Sequence, residues 1–436
     1  MWKWFEERAA EVEERTPDDR IRLADGLRVA AIVVVVLGHW LAPHIIVVGD
    51  SYGVRLVHSV VEQARWLTWF FQVMPVFFFV GGLANAISWR ASKERGETYV
   101  DWLRKRSRRL LRPLLVVVWV WIPVALILDA AGVSTNLVSR ASHAAFFPIW
   151  FLAAYLCVVA LSPAALWLHQ RFGALALAGF VGLSVAVDGL ARAGVGWVVW
   201  LNFIFVWGAI HQAGFFWYER RFPRRGIWGV GLAVVAFGLL LALTHVLDYP
   251  LSMVGTGFEE HPNDLPPSVA LVVLAFGQIG LCLALRKPVN RWLHKPRVWA
   301  VVTAVGQRIM TIYLWHMTAL VLVALAVYPT GIWPEMQQVD GVWWLWRIPW
   351  VLLLGAVLAA LVFAFGRFEE TSGSRRGWAA YLKAWVAVAL VTAGIAMLMS
   401  GGLYDGGGLL GIAWIPVGVL TLGLWGLGVI SWSRSS

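Results

Sequence analysis

The sequence predicts an all-α, polytopic membrane protein, and three observations carry that prediction. Apolar stretches of about 20 residues, the length a helix needs to cross a bilayer, recur along the whole chain. The composition is 60% hydrophobic and 14% charged, with a mean hydropathy of +0.70, whereas soluble domains hold roughly 25% charged residues. Lys and Arg gather in alternate connections between the apolar stretches, as expected of loops that face the cytoplasm. A net charge of +11 would suggest a nucleic-acid partner for a soluble chain; here the cytoplasmic loops account for it, and no nucleic acid is expected. Cys157 and Cys282 both lie in apolar runs, so neither a disulfide framework nor a metal site is expected.

Residues 1–22 predict an amphipathic helix lying on the membrane surface, with Trp2, Phe5, Ala9 and Val12 on one side. They are charged throughout and hold no apolar signal-peptide core. Thr16-Pro17-Asp18-Asp19 reads as a cap leading into the first span. Spans are then expected near 27–46, 66–88, 111–131, 147–168, 173–190, 195–216, 227–247, 267–286, 299–328, 343–365, 379–400 and 408–432. The ninth stretch is too long for one straight crossing, which puts Gly306-Gln307-Arg308 at its cytoplasmic end. The connections 89–112, 217–226, 286–298 and 366–377 carry nine, four, five and three basic residues, while 248–266, 329–342 and 401–407 carry none. That alternation places both termini in the cytoplasm and supports an even number of spans. There is no large soluble domain and no internal repeat of the kind that marks many transporters.

The most informative stretch is Asp25-Gly26-Leu27-Arg28, followed after an apolar run by Leu37-Gly38-His39-Trp40. Eleven helical steps of ~100° bring Arg28 and His39 onto one face, ~16 Å apart along the axis. An ionisable group inside lipid is costly, which makes it a candidate functional residue; the plainer alternative is a histidine that hydrogen-bonds a neighbouring helix. A second feature is the basic run Arg104-Lys105-Arg106-Ser107-Arg108-Arg109-Leu110-Leu111-Arg112-Pro113. For Arg104 to Arg106 the cytoplasmic bias of basic residues suffices. Arg109 and Arg112, three apart, share a helix face near lipid depth, where guanidinium forks suit phosphate. Gly81-Gly82 fits close helix packing, and Trp150-Phe151-Leu152-Ala153-Ala154-Tyr155 fits an interfacial anchor. Tyr313-Leu314-Trp315-His316 places another histidine in mid-membrane.

In this order, Arg28 with His39, Phe77-Phe78-Phe79-Val80-Gly81-Gly82-Leu83, Arg108-Arg109-Leu110-Leu111-Arg112-Pro113, Trp150-Phe151-Leu152 and Tyr313-Leu314-Trp315-His316, the chain resembles the membrane acyltransferase-3 family. The resemblance covers roughly residues 20–365, and Arg20 through His39 is its specific part. Ala24, Gly81, Tyr155 and Thr318 depart from the residues the family usually holds at these places. The resemblance implies transfer of an acyl group from cytoplasmic acyl-CoA to an extracytoplasmic acceptor such as a glycan, lipid or secreted small molecule, with no permanently bound cofactor. It implies a ten-span acyltransferase core at 27–365 in the plasma membrane; the charged residues 1–26 read as a cytoplasmic segment, and the two further spans within 366–436 lie outside the resemblance.

On that reading His39 is the general base, since imidazole titrates near neutral pH. Arg28, Arg109 and Arg112, with Arg108 beside them, hold the coenzyme A phosphates. Asp25, Trp150, Tyr155, Tyr313, Trp315 and His316 line the cavity that takes the acyl arm. The loop 248–267, rich in Pro and Gly, either lines the acceptor's site or is a solvated connector. A rival class is a transporter, for which the buried polar groups Asp188, Asn202, His211, Gln212 and Gln278 would speak; it predicts similarity between residues 1–218 and 219–436, which is not seen. A third class, a scaffold without catalysis, predicts that Arg28 and His39 are dispensable.

Overall fold

The computed structural model describes residues 2–48, 51–222, 225–369 and 381–430. Arg224, Arg375 and Arg376, counted above among the basic connections, lie outside the described residues, as do the side chains of Trp2 and Phe5. In chain order the helices are α1 Trp2–Glu14, α2 Arg22–Leu41, α3 Val57–Val60, α4 Ala64–Phe71, α5 Met74–Glu94, α6 Tyr99–Ala130, α7 Thr135–Phe146, α8 Trp150–Phe172, α9 Ala174–Arg192, α10 Asn202–Tyr218, α11 Gly226–Val246, α12 Val269–Leu293, α13 Pro296–Gln307, α14 Ile309–Val327, α15 Gly341–Phe365, α16 Tyr381–Gly401 and α17 Trp414–Gly426. Among the described residues eleven helical stretches are long and apolar enough to cross a membrane, and α17 is a shorter apolar helix. The protein is thus an all-α, multi-pass membrane protein, and a β-hairpin is its one sheet among these residues.

That hairpin corrects the first expected span. The apolar run was expected to stay helical to residue 46, but α2 ends at Leu41, and Pro43–Val48 pairs antiparallel with Ser51–Leu56 as strands β1 and β2. Ala42 still caps the helix, but Pro43 has no N–H to continue its ladder, and its ring crowds the carbonyl four residues back. The β-branched residues that follow suit a strand better than a helix. Hydropathy alone does not separate these two outcomes.

The third span starts earlier than expected for a related reason. Thr98 and Asp101 form a capping box, the Thr98 side chain accepting from the Asp101 amide at 3.2 Å and the Asp101 carboxylate accepting from the Thr98 N–H. From there α6 runs 32 residues, about 48 Å at ~1.5 Å per residue, so the whole basic run is helical. The expected ninth stretch breaks between Gln307 and Ile309 into α13 and α14, at the Gly306-Gln307-Arg308 position foreseen for its end.

The chain divides into two compact units. The first comprises Met1–Ile87 and Ser162–Ile309, the second Ser88–Leu161 and Met310–Ser436. Within the first unit, α5 crosses α10 closely at paired glycines: a Cβ built on Gly82 would lie 2.0 Å from the His211 carbonyl oxygen, and one on Gly214 2.2 Å from that of Phe79. Gly82 is therefore a packing residue, as small residues at membrane helix crossings generally are. Helices α11 and α12 cross at Gly229 and Gly280 in the same manner.

The polar residues that would mark a transporter are largely taken up by this packing. Asp188 accepts from Asn202 Nδ2 at 2.6 Å, the Tyr249 hydroxyl at 3.0 Å and the Val269 amide at 2.8 Å. His211 pairs with Asn85 at 3.0 Å, and Gln278 Nε2 donates to the carbonyls of Trp69 and Gln72 at 3.1 and 2.9 Å.

In the second unit α16 and α17 pack on the remaining helices. The Tyr381 ring stacks on Tyr99 with centroids 5.2 Å apart, Thr392 meets Cys157 at 3.5 Å, and the Tyr404 amide donates to Ser142 Oγ at 3.2 Å. The last two helices thereby brace α6, α7 and α8, the elements that carry the basic run and the Trp150–Tyr155 stretch.

Candidate active site

Arg28 and His39 both stand on α2, which is continuous from Arg22 to Leu41. The shared face and the separation of ~16 Å therefore follow from regular helix geometry. The His39 ring hydrogen-bonds the Val35 carbonyl, one turn back along α2. A carbonyl can only accept, so one ring nitrogen carries the proton, and in the neutral ring the other holds the lone pair that a base needs. Gly38 beside it has open space around it, with nothing within 4 Å of where a Cβ would sit.

At the other end of this face, Arg28 opens onto a cavity of about 350 Å³. Arg15, Thr16, Arg20, Asp25, Val29, Trp299, Thr303 and Gln307 are among its walls. Asp25 sits between two arginines: Arg20 Nε donates to its Oδ2 at 2.6 Å, and Arg28 Nη1 lies 3.8 Å from its Oδ1. Arg20 and Arg28 share the one carboxylate of Asp25, and Arg15, paired with Glu11, adds a third guanidinium, so this mouth attracts anions. The first segment is pinned in place here. Trp299 Nε1 donates to Thr16 Oγ1 at 2.7 Å, Arg22 binds Glu13 through both terminal nitrogens at 2.6 and 2.9 Å, and Arg297 pairs with Glu6. Of the residues expected to line the site, Asp25 and Arg28 are brought together in this cavity.

The remaining expected residues belong to the second unit, where α6, α8 and α14 hold them. Arg112 is half-buried and Arg109 exposed. Arg106, assigned from sequence only to cytoplasmic bias, hydrogen-bonds the buried Tyr155 hydroxyl. With Arg109 and Arg112 it forms a stripe at three-residue spacing, and that spacing is the one signal by which the sequence could have revealed it. Arg108 leaves this stripe and donates to the Gly428 carbonyl at 2.7 Å, so its visible partner is the turn after α17.

Tyr155 stacks on Phe151 at 5.4 Å, and Phe151 meets Tyr313 edge-on at 5.6 Å. The Tyr313 hydroxyl donates to the Pro148 carbonyl, which ties α14 to the turn that opens α8 at Trp150. His316 is fully buried and gives its Nδ1 proton to the Tyr313 carbonyl. Trp315 is buried flat against Phe365, centroids 4.2 Å apart. Trp315 is thus a packing residue of α14 and α15, while Tyr155, Tyr313 and Phe151 form one aromatic group. The start of α14 is capped by Glu369, whose carboxylate accepts from the Met310 and Thr311 amides at 3.1 and 3.0 Å and from the Thr311 hydroxyl at 2.8 Å. A carboxylate at that position also suits the helix dipole.

The loop 248–268 is ordered by buried hydrogen bonds. Asn263 donates to the Pro250 and Ser252 carbonyls at 2.7 and 3.0 Å and accepts from Ser268 at 2.7 Å. Trp69 Nε1 donates to Leu251 O at 2.8 Å, and the Met253 amide donates to Thr68 at 2.8 Å. The Gly255 amide donates to Asp264 at 2.9 Å, and burial pushes that carboxyl up to about 6. A second cavity of about 350 Å³ lies along this loop, where Arg65, Arg192, Asp248, Glu259, Glu260 and His261 mix both signs of charge. Of the two readings of the loop, a built wall fits these contacts better than a solvated connector.

No curated protein and no solved structure matches the chain. A family profile described as an acyltransferase domain, that of the acyltransferase-3 family, matches residues 22–367. The match begins at the first residue of α2, ends just past α15 and takes in most of the chain, so the protein belongs to the acyltransferase-3 family and is a multi-pass membrane acyltransferase.

Proposed function

We propose that this acyltransferase uses acyl-CoA as donor, His39 as general base and a hydroxyl-bearing extracytoplasmic molecule as acceptor. The observation that carries the reading is the geometry of α2, with a cation-lined mouth at Arg28 and an imidazole on the same face ~16 Å further along. Between the diphosphate and the sulfur of coenzyme A lie about a dozen backbone bonds, the length of roughly four extended residues, or ~14 Å. With a hydrogen-bond length of ~3 Å at each end, an acyl thioester whose phosphates rest at Arg28 covers the ~16 Å to His39.

The chemistry then closes without a metal. The lone pair of His39 takes the proton of the acceptor hydroxyl as its oxygen attacks the thioester carbonyl. The tetrahedral intermediate collapses with cleavage of the carbon–sulfur bond, and the imidazolium returns the proton to the departing thiolate. Product ester and free coenzyme A result. Arg109 and Arg112, on α6, are proposed as a further phosphate-binding pair. The acceptor approaches along the mixed-charge wall of loop 248–268, in keeping with a polyhydroxylated molecule such as a glycan or a lipid headgroup. The basic connections support cytoplasmic termini, and a plasma-membrane location suits an extracytoplasmic acceptor.

The test is transfer of acyl groups in membranes holding wild-type protein or His39→Ala, with ester products read by mass spectrometry of glycans and lipids. Loss of one defined ester class in the variant, at equal protein level, supports the reading. The same ester pattern from both proteins contradicts it.

A further inference from the structure

We infer that the segment joining α1 to α2 provides a separate subsite for the 3′-phosphate of the donor, gripped by Arg15 and Arg20. This rests on the acyl-CoA reading above and adds residues that lie outside the Arg28–His39 motif.

Coenzyme A carries its phosphate charge in two places, a diphosphate next to the pantetheine arm and a monophosphate on the ribose. The reach of that arm sets the diphosphate at Arg28 when the thioester is at His39. The ribose phosphate must then fall farther from His39 than Arg28 does. Arg15 and Arg20 both precede Arg22, the first residue of α2, so they stand toward the end of that helix remote from His39, and both line the cavity onto which Arg28 opens. Their side chains are 77% and 53% exposed, which puts them at its water-facing rim, where a phosphate enters without being stripped of all hydration.

Each arginine is held but not used up. Arg20 spends its Nε on Asp25 at 2.6 Å, which leaves the N–H groups of its terminal nitrogens to give. Arg15 touches Glu11 through one terminal nitrogen at 2.7 Å, and a guanidinium has five N–H groups to give. The backbone between them is fixed as well: Thr16 Oγ1 donates to the Val12 carbonyl at 2.6 Å and accepts from Trp299 Nε1 at 2.7 Å. Lys and Arg that serve only to orient a membrane chain need no such anchoring and no cavity. Arginines pinned around one do, because a pre-positioned fork loses little freedom on gripping a phosphate.

The experiment is calorimetric titration of the purified full-length protein with coenzyme A and with 3′-dephospho-coenzyme A, for wild type and for Arg15→Ala/Arg20→Ala. Wild type should bind coenzyme A about tenfold tighter or more. The double variant should lose that preference and bind both ligands as wild type binds the dephospho form. Wild type with equal affinity for the two ligands overturns the inference while leaving the acyl-CoA reading standing, as does a double variant that keeps the preference. Wild type that binds neither ligand overturns both. Arg15→Lys/Arg20→Lys guards against a folding artefact, since it should retain part of the preference.

Discussion

At Asp188 one buried carboxylate accepts three hydrogen bonds, from Asn202, Tyr249 and the Val269 amide. Asp188→Ala leaves all three donors without it, at about 1–3 kcal/mol for each buried group left unpaired. It should lower stability by several kcal/mol in thermal unfolding of the detergent-solubilised protein, and Asp188→Asn, which keeps one acceptor oxygen, should cost less. Equal stability of Asp188→Ala and wild type would return this aspartate to the list of functional candidates. Arg112 is the contrasting case, since its proposed part is in binding the donor. Arg112→Ala should weaken acyl-CoA binding by about 1.5–3 kcal/mol, the worth of a charge-assisted contact. His39 and Arg28 could be read from the sequence because their relation is intrahelical and periodicity alone fixes it. Arg106 could not: its Tyr155 partner is 49 positions away in sequence, and an arginine in a basic run gives no sign of which side chain turns inward.

Among the elements, the α5–α10 crossing admits no side chain at Gly82, where a Cβ would stand 2.0 Å from a carbonyl oxygen. Gly82→Ala should therefore destabilise the protein by about 1–3 kcal/mol or more. Gly179→Ala, on α9 with nothing within 4 Å, should be neutral or stabilise by up to about 1 kcal/mol. Melting curves of both variants by size-exclusion fluorescence separate these outcomes. The loop 248–268 has a pH signature of its own. Its Asp264 titrates near 6 because of burial, against about 3.9 in an unfolded chain. Between those values the folded loop holds a proton that the unfolded chain has released, so loop stability falls as pH rises from about 4 to 6 and is level above. Hydrogen exchange at the Gly255 amide, corrected for its intrinsic rate, should show more protection at pH 5 than at pH 7. Asp264→Asn should remove that difference. The loop's order was not legible in its Pro- and Gly-rich composition, since the groups that hold it, Thr68 and Trp69, lie on α4. The hairpin 43–56 escaped for a different reason: a strand and a helix tip have the same hydropathy, and only Pro43 marked the change.

Over the whole molecule, the apolar runs and the alternation of basic connections revealed the membrane fold, because bilayer thickness and charge sidedness act on composition directly. What they could not reveal was the work of the last two helices, which lie beyond the matched residues 22–367. Contacts at Tyr381, Thr392, Tyr404 and Gly428 make them a brace for α6, α7 and α8. A chain ending at Glu369 should consequently be retained in membranes poorly and melt at lower temperature, although it keeps every residue of the proposed chemistry. Full activity and stability of that truncated chain would show α16 and α17 to be an appendage. The central claim, acyl transfer with His39 as base, is tested most directly by single-turnover deacylation of radiolabelled acyl-CoA by purified wild type and His39→Ala in the presence of membrane-derived acceptor. The account predicts a loss of about 10²–10⁴-fold in the rate of ester formation, with coenzyme A affinity unchanged. Ester formation by His39→Ala at the wild-type rate would contradict it.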